Sequence, residues 1–173
     1  MSDNPGPPRD TRVLVITVSD RASSGAREDR SGPRLVELFQ EAGYAVTGPR
    51  LVTDGIEPVS EGLREGIDEG FGLIVTTGGT GISPRDFTPE ATRKYVTREL
   101  HGVAEHLRRE GARHTPLASL SRGVVGVADP DGDGTVGTLL ANLPGSLKGV
   151  EQSTEALLPL LPHLLSQVRG WDH

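Results

Sequence analysis

Apolar runs alternate along this chain with segments of helical spacing, and the alternation predicts repeated strand–helix units. Residues 12–18 form a continuous β-branched run, which is typical of a strand buried on both faces of a parallel sheet. Further strands are predicted on similar grounds over residues 45–52, 71–77, 124–128 and 136–142. Strands that alternate with helices favour a mainly parallel sheet.

Helices are predicted where apolar residues recur three and four positions apart. The first begins after Ser31, interpreted as its cap, and ends at Gly43, which suits a C-terminal cap. The other predicted helices cover residues 57–70, Thr88 to about Leu100, residues 103–111, and Ser146 to Arg169 with breaks at Pro159 and Pro162. Thr88 is interpreted as the cap of the helix that it begins. The sequence therefore predicts an α/β fold of three layers, a mainly parallel sheet with helices on both faces.

Length and composition narrow the class of protein. The 173 residues suit one domain, which we place at residues 11–170, between a disordered segment at 1–10 and a tail at 171–173. The absence of cysteine excludes disulfides, thiolate metal sites and a cysteine nucleophile. A net charge of -6 argues against a general nucleic-acid binder. Because no apolar run reaches membrane-spanning length and no signal segment opens the chain, we expect a cytoplasmic protein without membrane contact.

The residues just past the predicted strands are the candidates for chemistry, because ligands of open α/β sheets bind beyond the carboxyl ends of the strands. Small, hydroxylated or acidic residues follow each of these ends. They are Ser19, Asp20 and residues 22–25; Thr53, Asp54 and Gly55; residues 78–81 with Ser83 and Asp86; and residues 143–146.

The glycine loop, residues 76–81 (TTGGTG), is the densest of these segments. Three glycines in four positions allow positive φ and leave backbone N–H groups unshielded, a combination that favours an anion-binding nest. The loop matches neither a Walker loop nor a dinucleotide fingerprint, and a tight turn without a ligand is the alternative interpretation.

Two acidic residues, Asp54 and Asp86, suit Mg²⁺, which takes one or two carboxylates together with phosphate oxygens and water. Loop aspartates are more often turn formers or helix caps, and that interpretation stays open for each residue alone. Residues 129–134 (DPDGDG) are interpreted as a hairpin turn rather than a calcium loop. The basic cluster of Arg108, Arg109, Arg113 and His114 is interpreted as a solvated helix face.

Several ordered motifs resemble the Mog-type molybdopterin adenylyltransferases over nearly all of residues 12–169. The motifs are residues 18–25 (VSDRASSG), 77–81 (TGGTG), 84–92 (PRDFTPEAT), 120–123 (LSRG) and 142–146 (NLPGS). The resemblance implies a three-layer α/β fold, commonly trimeric, that transfers the adenylyl group of Mg-ATP to molybdopterin and releases pyrophosphate. It also implies a separate molybdate-inserting protein as a partner, because the second domain of fused relatives is missing from this chain.

The resemblance also assigns roles to residues of this chain. Asp54 and Asp86 are implied as the catalytic acids and the Mg²⁺ ligands. Pockets for pterin, phosphate and nucleotide are implied at Asp20, Ser24, Thr77, Gly78, Gly79, Thr80, Gly81, Ser121, Asn142, Pro144, Gly145 and Ser146. The turn at residues 129–134 is longer than the family usually has, so the match at residues 142–146 is open to a local shift.

Three alternatives remain at this point. A MoaB-type relative would bind molybdopterin with weak or different catalysis, although Asp54 and the sequence Pro84-Arg85-Asp86 favour the adenylyltransferase. A nucleotide pyrophosphatase would cleave ATP or a dinucleotide without any pterin. A non-catalytic scaffold module would carry exposed linkers and additional domains.

Overall fold

The structure, a computed structural model, describes residues 11–129 and 137–170 of the chain. The predicted N-terminal segment 1–10, the C-terminal tail 171–173 and most of the predicted hairpin turn, residues 130–134, lie outside the described residues. No helix among the described residues is long and apolar enough to cross a membrane.

Six strands and seven α-helices make up the described part of the chain. The strands are β1 Arg12–Val18, β2 Ala45–Val52, β3 Leu73–Thr77, β4 Val96–Glu99, β5 Val125–Ala128 and β6 Thr138–Leu143. The helices are α1 Asp20–Ser23, α2 Ser31–Glu41, α3 Ile56–Asp68, α4 Thr88–Arg93, α5 His101–Ala112, α6 Leu147–Leu157 and α7 Leu161–Val168. Two 3₁₀ helices, Pro116–Leu120 and Leu158–Leu160, complete the list.

One sheet, in the order β2-β1-β3-β6-β5-β4, forms the middle layer. The pairs β1–β2, β1–β3 and β3–β6 are parallel, and β6–β5 and β5–β4 are antiparallel. Apolar side chains of α2, α5, α6 and α7 pack against one face and those of α3 and α4 against the other. The prediction of a three-layer, mainly parallel α/β fold is confirmed.

Strand β4 replaces the second half of a predicted helix. The helix that begins at Thr88 ends at Arg93, and Val96–Glu99 pairs with β5, so the prediction that it reaches Leu100 is wrong. The β-branched pair Val96 and Thr97 favours a strand once β5 offers a partner. The backbone bond from Leu100 N–H to Val125 O, 2.7 Å long, continues this pairing to the start of α5.

Two residues predicted as helix caps have other partners. Ser31 Oγ donates to Gly145 O at 2.9 Å, while Asp29 Oδ1 accepts from Gly32 N–H in the first turn of α2. Thr88 Oγ1 likewise donates to Gly78 O at 2.9 Å instead of capping α4. Both hydroxyl groups therefore tie a helix start to a loop at the carboxyl edge of the sheet.

The end of α2, the start of α6 and the break between α6 and α7 lie where the sequence predicts them. Gly43 has a φ of 91° after α2, and Tyr44 N–H donates to Phe39 O, as a glycine C-terminal cap requires. Ser146 Oγ accepts from Gly149 N–H at 3.0 Å and caps α6. The predicted break near Pro159 and Pro162 is confirmed, because a 3₁₀ segment separates α6 from α7.

Candidate functional site

The carboxyl ends of β1, β2, β3 and β6 meet at one edge of the sheet. The chain moves from β1 outward to β2 and returns to β3 on the other side of β1, which creates a switch point between β1 and β3. Open α/β sheets bind ligands at such points. The loops that begin at Ser19, Thr53, Gly78 and Pro144 are therefore neighbours, as the sequence predicts.

Asp20 and Asp54 brace the first two loops against each other. Asp20 N–H donates to Asp54 Oδ2, and Asp54 N–H donates to Asp20 Oδ1, both at 3.0 Å. Arg85 approaches the same carboxylate, with Nη2 at 2.5 Å from Asp20 Oδ2. The acidic residues that follow β1 and β2 thus lie together, and the segment before Asp86 reaches them.

Asp86 lies beside the glycine loop. Its Oδ2 accepts from Ser83 N–H at 3.0 Å and is 2.8 Å from the position that a Cβ on Gly81 would take. We call Asp20, Asp54 and Asp86 the acidic rim; all three are partly exposed. Carboxylate oxygens are suitable ligands for an Mg²⁺ ion that also binds phosphate oxygens. Among residues 11–129 and 137–170, no three or more acidic, histidine or cysteine side chains lie close enough together to hold a metal ion by themselves.

The glycine loop is fixed from both sides. Gly78 has a φ of 100°, and a Cβ there would lie 2.3 Å from Val18 O, so only glycine fits. Its N–H donates to Leu143 O at 3.2 Å, so this amide, predicted as one of the unshielded N–H groups of the loop, is used inside the protein. Gly79 also has a positive φ of 67°. The turn is therefore built for close approach between neighbouring loops.

Asn142 is a buried structural centre beneath the glycine loop. Its Nδ2 donates to Thr76 Oγ1 at 3.0 Å and to Thr92 Oγ1 at 2.9 Å. Its Oδ1 accepts from Val124 N–H at 3.1 Å. Thr77 Oγ1 is also used internally, because it donates to Pro144 O at 2.8 Å. We therefore expect the side chains of Asn142 and Thr77 to position the loops rather than contact a ligand.

A cavity of about 690 Å³ opens beside the glycine loop. One wall comes from α5 and the 3₁₀ helix Pro116–Leu120, and the opposite wall from the loop after β6 and the start of α6. Its apolar lining includes Ala104, Leu107 and Val125. A ligand of substrate size fits such a space.

Half of the predicted site residues line this cavity and half lie outside its lining. The cavity residues are Thr80, Gly81, Ser121, Asn142, Pro144, Gly145 and Ser146. The others are Asp20, Ser24, Asp54, Thr77, Gly78, Gly79 and Asp86. Ser24 ends α1 as an exposed residue whose Oγ donates to Arg21 O at 3.2 Å.

Sequence reasoning missed the basic residues of the site. Arg108 and His114, interpreted as part of a solvated face, both line the cavity, together with Lys148 in the first turn of α6. Arg108 Nη1 donates to Gly123 O at 3.1 Å. The helical spacing did not show that α5 faces the cavity, because that wall depends on how α5 packs against α6.

Arg122 lies in the motif at residues 120–123, and the sequence alone predicts no role for it. Its guanidinium donates to Gly81 O at 2.9 Å and to Asp86 O at 2.8 Å, and it also binds Glu90 Oε1. Burial acts to raise the pKa of Glu90, but the Arg122 hydrogen bond and charge, with smaller contributions from the backbone and Arg93, outweigh it and lower the pKa. Glu90 therefore remains an anion that fixes the arginine at neutral pH.

Comparison with known proteins agrees with this architecture. The family described as "Probable molybdopterin binding domain" matches residues 14–163. Molybdopterin adenylyltransferase of Helicobacter pylori strain J99 is 35% identical over 163 residues, which cover 91% of this chain and 88% of that protein. Molybdenum cofactor synthesis protein cinnamon of Drosophila melanogaster is 40% identical over 152 residues, 86% of this chain but only 24% of cinnamon.

Solved structures show the same fold. The molybdopterin biosynthesis enzyme MoaB from Thermus thermophilus superposes with a TM-score of 0.82 at 46% identity, covering 94% of this chain and 99% of that one. The resemblance found in the motifs is therefore confirmed. This chain belongs to the molybdopterin-binding family of molybdenum cofactor biosynthesis proteins that includes Mog and MoaB.

Proposed function

We propose that the chain adenylylates molybdopterin with Mg-ATP and releases pyrophosphate. The observation that carries the proposal is the shared glycine loop, which borders the acidic rim on one side and forms part of the cavity wall on the other. Two phosphate-bearing substrates bound in these two places would meet at that loop. Relatives named molybdopterin adenylyltransferase at 35% identity support the same reaction.

The cavity suits the pterin substrate. Its apolar walls would pack against the ring system, while Ser121, Arg108 and the capped start of α6 offer polar groups at the edges. Lys148 lies in the first turn of α6, where a helix N-terminus and a cation both attract phosphate. The molybdopterin phosphate would then point toward the glycine loop.

The chemical step needs no nucleophilic side chain. An oxygen of the molybdopterin phosphate attacks the α-phosphorus of ATP and forms the new P–O bond. The bond from that phosphorus to the oxygen bridging to the β-phosphorus breaks, and pyrophosphate leaves with its electron pair. The protein contributes position and neutralisation of charge, which dominate catalysis of phosphoryl transfer.

Asp54 and Asp86 are the residues that we expect to hold Mg²⁺, with Asp20 beside Asp54. Bound Mg²⁺ would neutralise charge on the triphosphate oxygens. Asp54 is held for this purpose by its paired hydrogen bonds with Asp20. Asp86 is held by Ser83 N–H, so each carboxylate keeps at least one oxygen without a hydrogen bond to these backbone partners.

The family relationship also supports proposals about partners and location. We propose a homotrimer that acts in the cytoplasm and passes adenylated molybdopterin to a separate molybdate-inserting protein. The related cinnamon protein is about four times as long as the matched region, so this chain spans only part of that relative's length.

The direct test mixes purified protein with molybdopterin, MgCl₂ and ATP labelled at the α-phosphate. We expect labelled adenylated molybdopterin and an equal amount of pyrophosphate. If molybdopterin binds but the label stays in ATP, the result would instead favour the MoaB-type binding role. The 46% identity to MoaB makes this the main alternative. Release of labelled AMP without pterin would indicate a pyrophosphatase.

A further inference from the structure

Arg122 lies between the 3₁₀ helix Pro116–Leu120 and β5, in a stretch without regular secondary structure. Its backbone N–H donates to Thr80 O at 2.8 Å, which attaches this stretch to the glycine loop. Its side chain is partly buried, with 35% of its surface exposed. The residue therefore reaches the glycine loop through both its backbone and its guanidinium group.

The guanidinium group spans the segment that carries Asp86. Nε donates to Gly81 O at 2.9 Å, and Nη2 donates to Asp86 O at 2.8 Å. These two carbonyl groups are the two ends of residues 81–86, which have no strand or helix to fix them. A planar fork with several donors can hold both carbonyl groups at once, whereas the point charge of a lysine cannot reproduce this geometry.

Glu90 holds the fork in place from the opposite side. Arg122 Nη1 binds Glu90 Oε1, and Glu90 belongs to the first turn of α4, which is packed into the core through Ala91. The other carboxylate oxygen, Oε2, is buried and has no hydrogen-bond partner among the residues that the structure describes. Removal of the arginine would leave this carboxylate partly buried without its cationic partner, so the pair is sensitive to loss of either member.

We propose that Arg122 is a positioning residue for adenylyl transfer, which fixes Asp86 relative to the glycine loop. The inference rests on the proposed function for its catalytic meaning. Arg122 does not line the cavity and is not counted among its ligand contacts. It acts through the backbone at both ends of residues 81–86, and so sets where the Asp86 carboxylate lies.

Arg122→Gln, Arg122→Lys and the control Arg50→Gln test the proposal. Arg50 makes a two-point ion pair with Glu69, at 2.6 and 2.7 Å, at similar exposure but away from the site. Two measurements are made on each variant. The first is kcat together with the Mg²⁺ concentration for half-maximal activity, and the second is amide hydrogen exchange over residues 80–90 without substrates.

Arg122→Gln should lower kcat roughly tenfold to hundredfold, because a displacement of about 1 Å at a reacting group has effects of this size. It should also raise the Mg²⁺ requirement and speed exchange at Asp86 N–H, which donates to Ser83 O at 3.0 Å. Arg122→Lys should recover part of both losses. Arg50→Gln should change neither.

The proposal would be overturned if Arg122→Gln had the same kcat, the same Mg²⁺ requirement and the same amide exchange as the wild-type protein. If that variant does not fold, Arg122→Lys provides the test, because it keeps a positive charge for Glu90 but cannot bind the carbonyl groups of Gly81 and Asp86 in the same way. An unchanged Mg²⁺ requirement and unchanged exchange in Arg122→Lys would then contradict it. A wild-type protein without adenylylation would refute the proposed function instead, and the exchange data alone would still decide whether Arg122 holds Asp86.

Discussion

The two sides of the glycine loop differ in polarity and in the structural elements that form them. On one side, the cavity is a half-open cleft with mainly apolar walls, and half of its lining comes from α5, the 3₁₀ helix Pro116–Leu120 and α6. On the other side, the acidic rim is partly exposed and consists of residues just past strand ends or in loops, braced by hydrogen bonds to backbone groups. An apolar cleft suits a ring system that packs against its walls. Exposure suits a hydrated metal–phosphate group that keeps part of its water.

Under the proposed function, this division would separate two binding tasks at one edge of the sheet. The strands deliver both sets of residues to the same place, but the helices beyond the sheet cover only one of them. Substitutions in the cavity should therefore affect pterin binding, and substitutions in the acidic rim should affect the chemical step. The following predictions test that separation, from the largest expected effect to the smallest.

Asp86→Asn should remove most turnover, by roughly a hundredfold or more, while largely preserving the fold. Asparagine keeps an oxygen that can accept from Ser83 N–H but loses the charge that Mg²⁺ needs. The labelled-ATP assay measures kcat, and thermal unfolding checks the fold. Asp68→Asn, at an exposed ion pair with Arg64, is the matched control. Full activity in Asp86→Asn would rule out the metal role of this residue.

Asn142→Leu should lower the free energy of unfolding by about 2–4 kcal/mol, because three internal hydrogen bonds are lost and buried groups are left unpaired. Urea unfolding measures the change. Thr138→Val, which removes one hydrogen bond at the other end of β6, should cost less and leave activity intact. If the two variants lose equal free energy of unfolding, Asn142 is no more important for stability than Thr138, and the prediction is wrong.

Ala118→Phe should raise the KM for molybdopterin by about tenfold and leave the KM for ATP unchanged. Ala118 lines the cavity from the 3₁₀ helix, so a ring there would occupy space that the pterin needs. Ala112→Phe, at an exposed position outside the cavity lining, is the control. Steady-state kinetics with each substrate varied in turn gives both constants. A matching rise for ATP would mean that the two sides are not separate.

Lys148→Gln should raise the KM for molybdopterin about threefold at low salt, and the effect should shrink in 0.5 M NaCl. An exposed cation attracts a phosphate by less than about 1 kcal/mol, and salt screens this attraction. Lys94→Gln removes a comparable exposed charge away from the cavity and should change neither constant. An effect on ATP rather than molybdopterin would assign Lys148 to the other side.

The order of strands and helices could be predicted because buried apolar runs and helical spacing leave a clear local pattern. The predicted bounds 12–18 and 45–52 match β1 and β2. Strand β4 could not be predicted, because its four residues gain their backbone partners only when β5 lies beside them. Helix α1 and the 3₁₀ helix after α5 are too short to show a period.

Sequence also predicted which loops form the site, but not what each side chain does. Topology brings strand ends together, so Asp20, Asp54 and the glycine loop could be placed at one edge in advance. The partners of Arg122 lie 32 to 41 residues away along the chain, and no local pattern reports such contacts. Thr88 was likewise predicted to cap a helix, because its hydrogen bond to Gly78 O leaves no local pattern in the sequence.

The two braced aspartates carry a consequence for the order in which substrates enter. Because Asp20 and Asp54 each accept a hydrogen bond from the backbone of the other, the protein itself preorganises this part of the acidic rim. Preorganised sites lose less conformational freedom on binding. Under the proposed function, we therefore expect ATP to bind without prior binding of the pterin.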